Sequence, residues 1–328
     1  ENYEALLIGW SELNLQNGVT FDAGNSEYCS EEAENARQKI IETFNWSIAD
    51  LECSSLKDRY FITTWQTTSD NETIIIPTKQ GLDYNYKIDW KENGIWEQAT
   101  GNATHEYPSP GQHTVRIRGT FPAIYFNNTE DKDKIIAINQ WGNIEWKTME
   151  NAFFGCTNLE YNATDAPELG FVTDMSNMFN SATKFNGDIS RWSVSRVAYM
   201  SNMFKGADSF NGNISRWHVS NVQKMDDMFS GATSFDGDSK DWDVSNVIYV
   251  NGMFQDASAF NGDVSGWDVS SVTDMSYMFQ NASAFNQNIK DWDVSSVTDM
   301  SNMFNGVTLS TENYEALLIG WSELNLQN

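Results

Sequence analysis

Histidine, cysteine and paired carboxylates are the side chains from which most active sites and metal centres are built. This 328-residue chain has three histidines and three cysteines. His105 and His113 lie eight apart with no cysteine or third ligand beside them, which is not a metal-site spacing. His218 stands where Ser193, Asp243, Asp268 and Asp293 stand elsewhere, so it reads as a solvent-facing variant rather than a base. No G-x-S-x-G, H-E-x-x-H, phosphate-loop or dinucleotide-glycine pattern occurs. Asp and Glu number 46, so a chance pair of carboxylates is always at hand and proves nothing. Acidic turns such as "DGDSKD" carry charge that suits Ca2+ but lack the spaced ligands of a calcium loop. The expectation is a protein that is not an enzyme, with no catalytic residue, no metal site and no cofactor.

Cys29 and Cys53 flank one helical segment. They are disulfide candidates whose closed loop would contribute roughly 3 kcal/mol; two free thiols are the alternative. Cys156, in "FFGCTNL", takes the place of Ala182 and reads as a small buried residue. Lys and Arg number 20, giving a net charge of −26. Such a field repels nucleic-acid phosphates and anionic lipid. The most apolar runs, "YEALLIGW" and "IIIP", fall far short of the ~20 residues that span a bilayer.

The elements that carry these residues are dominated by a repeat. Trp192, Trp217, Trp242, Trp267 and Trp292 are 25 apart, as are Phe185, Phe210, Phe235, Phe260 and Phe285. Met178-Phe179 recurs in step up to Met303-Phe304, and a degenerate copy begins near Met149 and Phe153. A 25-residue unit cannot bury its own apolar face, so copies must stack. Ile189, Trp192, Val194 and Val197 suggest a short strand around Trp-x-Val. Met175, Met178 and Phe179 fall at i, i+3 and i+4, one helical face. Asn and Gly of "FNGD" supply a turn. One strand and one helical turn per 20–29 residues is the leucine-rich-repeat plan, and about six coils at ~4.8 Å each would make a rod of about 29 Å.

The stretch "WDVSSVTDMSYMFQNASAFNQNI", residues 267–289, resembles the BspA-like leucine-rich-repeat surface proteins, which use Trp, Val, Met and Phe where other leucine-rich repeats use Leu. The resemblance covers roughly 140–310. It implies a secreted or surface-anchored protein with a part in adhesion, and carries no ligand residue with it. Runs such as "TIIIPT", "YNYKIDW" and "HTVRIRGTF" in residues 60–127 read as a β-sandwich. "YKIDWKENG" and "HEYPSPGQHTVRI" resemble the polycystic-kidney-disease-type immunoglobulin-like domain. That family writes W-G-D-G where this chain has Trp90, Lys91, Glu92, Asn93 and Gly94, which sets aside a cation site there.

Residues 1–53 predict two helices around a strand in "GVTFDAGN". Tyr3, Leu6, Leu7 and Trp10 are assigned to one face of the first. Ser30 is the N-cap of the second, with Glu31 and Glu32 in its first turn and Ala33, Ala36, Ile40 and Ile41 as its apolar stripe. This resembles the terminal cap of BspA-like solenoids. "ENYEALLIGWSELNLQN" fills positions 1–17 and recurs letter for letter at 312–328, a period of 311 residues between positions 1 and 312. The expected order is therefore a sandwich (60–127), a leucine-rich-repeat-type solenoid (135–310) and a helical cap that starts at 312–328. Residues 1–53 are then the cap of the preceding module. Copies would join head to tail, as one long chain or as separate units, since an uncovered repeat end is an aggregation template.

The fold expectation is thus α+β and β-rich: solenoid, immunoglobulin-like sandwich and helical cap. The Trp and Phe ladders read as core rather than as sugar-stacking platforms. Surface candidates for binding flank each Trp on the expected strand face: Arg191 and Ser193, Arg216 and His218, Asp241 and Asp243, Gly266 and Asp268, Asp291 and Asp293. This face runs from basic to acidic. Seven N-x-S/T sequons occur, at Asn45, Asn71, Asn102, Asn127, Asn162, Asn213 and Asn281, about as many as an Asn-rich composition produces by chance. The expected role is a structural module of a tandemly repeated extracellular fibre, stalk or appendage. The alternative is an adhesin that binds a glycan or protein through that face.

Overall fold

The computed structural model describes residues 2–324; the expected second helix therefore lies within the described residues, while positions 1 and 325–328 of the duplicated segments lie outside them. The chain opens with α1 (Asn2–Ser11), β1 (Thr20–Tyr28), α2 (Glu31–Phe44) and β2 (Ser47–Glu52). The Ser30 hydroxyl accepts from the Ala33 N–H at 3.2 Å and starts α2; Asn45, at φ 53°, ends it in the left-handed conformation that Asn tolerates. β1 and β2 pair in parallel, with Phe21 opposite Ile48. Leu7, Tyr28, Ala33, Ala36, Ile40, Cys53 and Leu56 form a small core of their own. Cys29 and Cys53 are joined by a disulfide, Cα to Cα 5.2 Å, at the ends of the two strands.

A short helix, α3 (Ser54–Lys57), leads into β3 (Phe61–Thr67), β4 (Glu72–Ile76), β5 (Asn85–Asp89), β6 (Glu97–Ala99), β7 (Ala103–Tyr107), β8 (Gly111–Thr120), β9 (Ile135–Gln140) and β10 (Glu160–Tyr161). Six strands form one mixed sheet in the order β10-β9-β3-β8-β5-β6, and β4 pairs with β7. Within this sheet β10 runs parallel to β9 and the other pairings are antiparallel. Alternation in β3 buries Phe61, Thr63, Trp65 and Thr67. Of these, Phe61 and Trp65 join Ile74, Ile76, Tyr86, Ile88, Val115 and Ile117 in one core, which continues without a break through the repeats to Leu317.

The repeats correct the fold expectation of a leucine-rich-repeat-type solenoid with a helical cap. Helices make up 13% of the chain, the sheets are mixed, and residues 162–310 hold neither a helix nor an extended strand. Each repeat is a succession of turns. Asn177, Asn202, Asp227, Gly252, Tyr277 and Asn302 sit at φ 55° to 61° between the two Met positions, and a left-handed residue there stops helix growth. The Met175–Met178 pair still faces inward, because the Met178 N–H donates to the Met175 carbonyl at 3.1 Å in a turn. Trp-x-Val is no strand either: the Trp192 N–H donates to the Ile189 carbonyl at 3.1 Å and the Val197 N–H to the Val194 carbonyl at 2.9 Å.

Successive repeats meet at single parallel bridges, Asp174 to Tyr199 to Lys224 to Tyr249 to Asp274 to Asp299. Beside them the Phe179, Phe204, Phe229 and Phe254 N–H groups each donate at 2.8 Å to a Met carbonyl one repeat on. Between these bonds the aromatic rings lie flat on one another, Phe204 on Phe210 at 4.0 Å and Trp242 on Trp267 at 6.3 Å. Burial of each such ring stabilises by about 1.5–3 kcal/mol, all of it dependent on a neighbouring repeat.

The last helix, α4 (Thr311–Ser322), lies on the final repeat and is the only helix among the described residues there. Residues 1–53 do not form a helical cap on a repeat end of their own chain. They pack on the six-stranded sheet: Arg118 pairs with Glu34, Arg116 Nη1 with Glu52 at 2.7 Å, and Gln38 Nε2 donates to the Trp96 carbonyl at 2.9 Å.

Candidate binding face

The residues beside each Trp alternate exposed, buried, exposed, because the Trp ring turns into the stack. They stand on turns, not on a strand face. Trp217, Trp242, Trp267 and Trp292 are almost wholly buried, and each indole N–H donates to a carbonyl of the preceding repeat: Ile189, Ile214, Ser239 and Val264, at 2.8–3.1 Å. Both ring faces of Trp242 are covered by Trp217 and Trp267, so these Trp rings offer no platform to a sugar.

Four of the candidate residues come together. Arg216, His218, Asp241 and Asp243 line one open depression of 490 Å3 with Ser215, Trp217, Val219 and Ser220. Arg191 and Ser193 are exposed one repeat before it, and Arg191 spends its guanidinium on the Thr164 carbonyl. Asp268, Asp291 and Asp293 are exposed one and two repeats beyond it. Asp243 and Asp268 each accept from a serine hydroxyl two residues on at 2.6 Å and from the same serine's N–H. Asp293 accepts the Ser295 N–H at 3.0 Å. The serine hydroxyl and then its N–H hold the Asp243 and Asp293 carboxyls below their usual range. The acidic half of the face is therefore committed partly to holding its own turns.

The acidic loop around "DGDSKD" is spent in the same way. Asp236 accepts the Asn261 N–H at 2.8 Å and Asp238 the Lys240 N–H at 3.0 Å. Among the described residues no group of three or more His, Cys, Asp or Glu is placed to hold a metal. His105 and His113 lie in an aromatic column, His105 stacked on Trp90 at 5.2 Å and His113 on Tyr107 at 3.6 Å. Burial pushes both imidazoles below their ordinary pKa. Cys156 is fully buried, and burial pushes its thiol up. All seven sequon asparagines are exposed: Asn45, Asn71, Asn102, Asn127, Asn162, Asn213 and Asn281.

Two features escaped sequence reasoning. Asp89, fully buried just before Trp90, accepts the Lys91, Asn93 and Gly94 N–H groups at 2.8–3.2 Å and pairs with Arg116. Its charged partner Arg116 lies 27 residues away, so spacing alone does not reveal the pair. An asparagine ladder also runs along the "FNG" turns. Asn186, Asn211, Asp236 and Asn261 each accept, through the side chain, the backbone N–H one repeat on at 2.8–3.0 Å. The signal was there, since position "N" of "FNG" is Asn or Asp in every copy.

The fold thus defines a protein of stacked turn-built repeats joined to a mixed β-sheet, with no cluster of metal-holding side chains among the described residues. The family model described as "Mycoplasma protein of unknown function, DUF285" matches residues 147–250 and 213–317, more than half of the chain when joined, and the chain belongs to that family. No curated protein and no solved structure matches it.

Proposed function

We propose that this chain is a non-enzymatic structural module of a tandemly repeated extracellular fibre, stalk or surface appendage, its copies joined head to tail. The observation that carries the reading is the single core running from the six-stranded sheet through every repeat to α4. Such a column transmits load along its axis, because each repeat is bonded to the next by backbone, ring and asparagine contacts at once. The net charge of −26 keeps neighbouring columns apart. The partner in this reading is another copy of the chain.

The test is surface proteolysis of intact cells followed by electron microscopy of the released material. Release of protease-accessible fibres with a regular repeat supports the proposal. Protection of the chain until cells are lysed overturns it.

A second reading has its own observation, the depression that gathers Arg216, His218, Asp241 and Asp243. Mixed charge beside an open hollow suits a polar glycan or a charged peptide. Under this adhesin reading, Arg216→Ala with Asp243→Ala lowers binding to a glycan array or to host cells at least tenfold while leaving the repeats folded.

A further inference from the structure

One stretch of sequence occupies two places in this molecule, and each place covers a different side of it. In α1, Leu7 is 0% exposed against α2 and Leu6 is 37% exposed. In α4 the same two letters exchange roles: Leu317, the counterpart of Leu6, is 5% exposed on the last repeat, and Leu318, the counterpart of Leu7, is 50% exposed. Tyr3 and Ile8 are partly covered, whereas Tyr314 and Ile319 are exposed. At 100° per residue, positions 2, 5, 6, 9 and 13 lie on one side of the helix and 3, 4, 7, 8 and 11 on the other. The first set is the one that α4 turns to the repeats; the second is the one that α1 turns to α2 and β2.

The polar contacts divide in the same way. Tyr3 donates to Asp50 at 2.5 Å, and Glu4 accepts the Cys29 and Ser30 N–H groups at 2.5 and 2.7 Å. Their counterparts Tyr314 and Glu315 are exposed. Conversely, Asn313 Nδ2 donates to the Asn286 carbonyl at 2.7 Å, at the end of the asparagine ladder, while Asn2 is exposed. Glycine gives the sharpest contrast. A Cβ at Gly320 would stand 2.2 Å from the Lys290 carbonyl oxygen, so that seat demands glycine; at Gly9 a Cβ would meet nothing within 4 Å. Gly in mid-helix costs about 1 kcal/mol relative to Ala, and within its own chain Gly9 has no compensating contact.

A helix that is apolar on both sides is built to be covered on both. We propose that this sequence is a junction helix shared by two copies of the chain. Its Leu6/Gly9 side sits on the last repeat of one copy, at Asn286 and Lys290. Its Tyr3/Leu7 side sits on α2 and β2 of the next. The occupant of the exposed α1 side is thus the repeat end of a second copy, and one helix serves both seats whether the copies are separate chains or lengths of one polypeptide. The inference rests on the head-to-tail reading above and names the surface that carries it.

In the full chain α4 fills its own seat, so the test is to empty it. Gly320→Gln drives the side chain into the Lys290 carbonyl and displaces α4. The vacant seat then takes α1 of another molecule, and light scattering should report a mass at least twofold above 37.2 kDa that rises with concentration. Adding Gly9→Gln blocks that entry and should restore the single-chain mass. An independent check is a crosslink: in the Gly320→Gln background, Asn2→Cys with Asn286→Cys should be joined between chains by a short bismaleimide. This pair leaves the glycine seat untouched, and Asn313, the counterpart of Asn2, reaches the Asn286 carbonyl through Nδ2 at 2.7 Å. Equal association with and without Gly9→Gln, and no crosslink, overturns the helix assignment while head-to-tail joining stands. Single-chain mass and no crosslink in every variant overturns both.

Discussion

At the scale of the residue, stability and recognition separate cleanly along the Trp ladder. Trp242 stacks between two neighbours and donates to the Ile214 carbonyl, whereas Asp243 beside it faces water. Trp242→Ala should cost about 3–5 kcal/mol in chemical denaturation, because a large buried ring is removed from a stack that cannot collapse around the gap. Asp243→Ser should change stability by less than about 1 kcal/mol. Arg116 is a second such position, held between Asp89 and Glu52 with 6% of its side chain exposed. Arg116→Ala leaves two buried carboxylates unpaired, and the expected loss is again about 3–5 kcal/mol. The inward positions were legible in the sequence because Trp, Val, Met and Phe recur in one phase. Asp89 and Arg116 were not, since a charged pair 27 residues apart has no period.

At the scale of the element, the lesson is that side-chain period does not fix backbone conformation. Met175, Met178 and Phe179 have helical spacing and all three are buried, yet the left-handed Asn177 between them makes a turn. α1 shows a related limit: Tyr3, Leu7 and Trp10 fall within about 60° of one another, while Leu6, about 40° further round, stands at the solvent edge of the expected face and is 37% exposed. Two predictions belong here. Reduction of Cys29–Cys53 releases a 24-residue loop and removes about 3 kcal/mol from the N-terminal unit. Calorimetry with reductant should show that unit melting apart from the repeats. The turn between β3 and β4 responds to acid. Glu72 accepts the Thr68 and Ser69 N–H groups and lies 3.4 Å from Lys134, and the Thr68 bond foremost pulls its pKa from 4.5 down to about 2. A lowered carboxyl pKa contributes stability above the ordinary value and loses it as pH falls towards the folded value. The protection of the Thr68 and Ser69 amides, measured against their intrinsic exchange rates, should therefore hold above pH 4.5 and fall as pH drops from there towards 2.

At the scale of the whole molecule, the 25-residue and 311-residue periods belong to one design. The short period builds a column whose repeats cannot stand alone, and the long one repeats a helix that fits both ends of a junction. Copies that each carry a charge of −26 repel one another, so their association should strengthen as salt is raised. From about 0.01 M to 0.1 M salt the screening length falls from about 30 Å to about 10 Å, and sedimentation of the Gly320→Gln chain should show the assembled fraction growing over that range. The most direct test of the account is an electron-microscopy map of two copies trapped by the Asn2→Cys and Asn286→Cys crosslink in the Gly320→Gln chain. The account predicts one helix at the junction, touching Asn286 and Lys290 of one copy and the Cys29–Ser30 turn of the next. Two helices packed against each other there, or an N-terminal unit docked away from the last repeat, would contradict it.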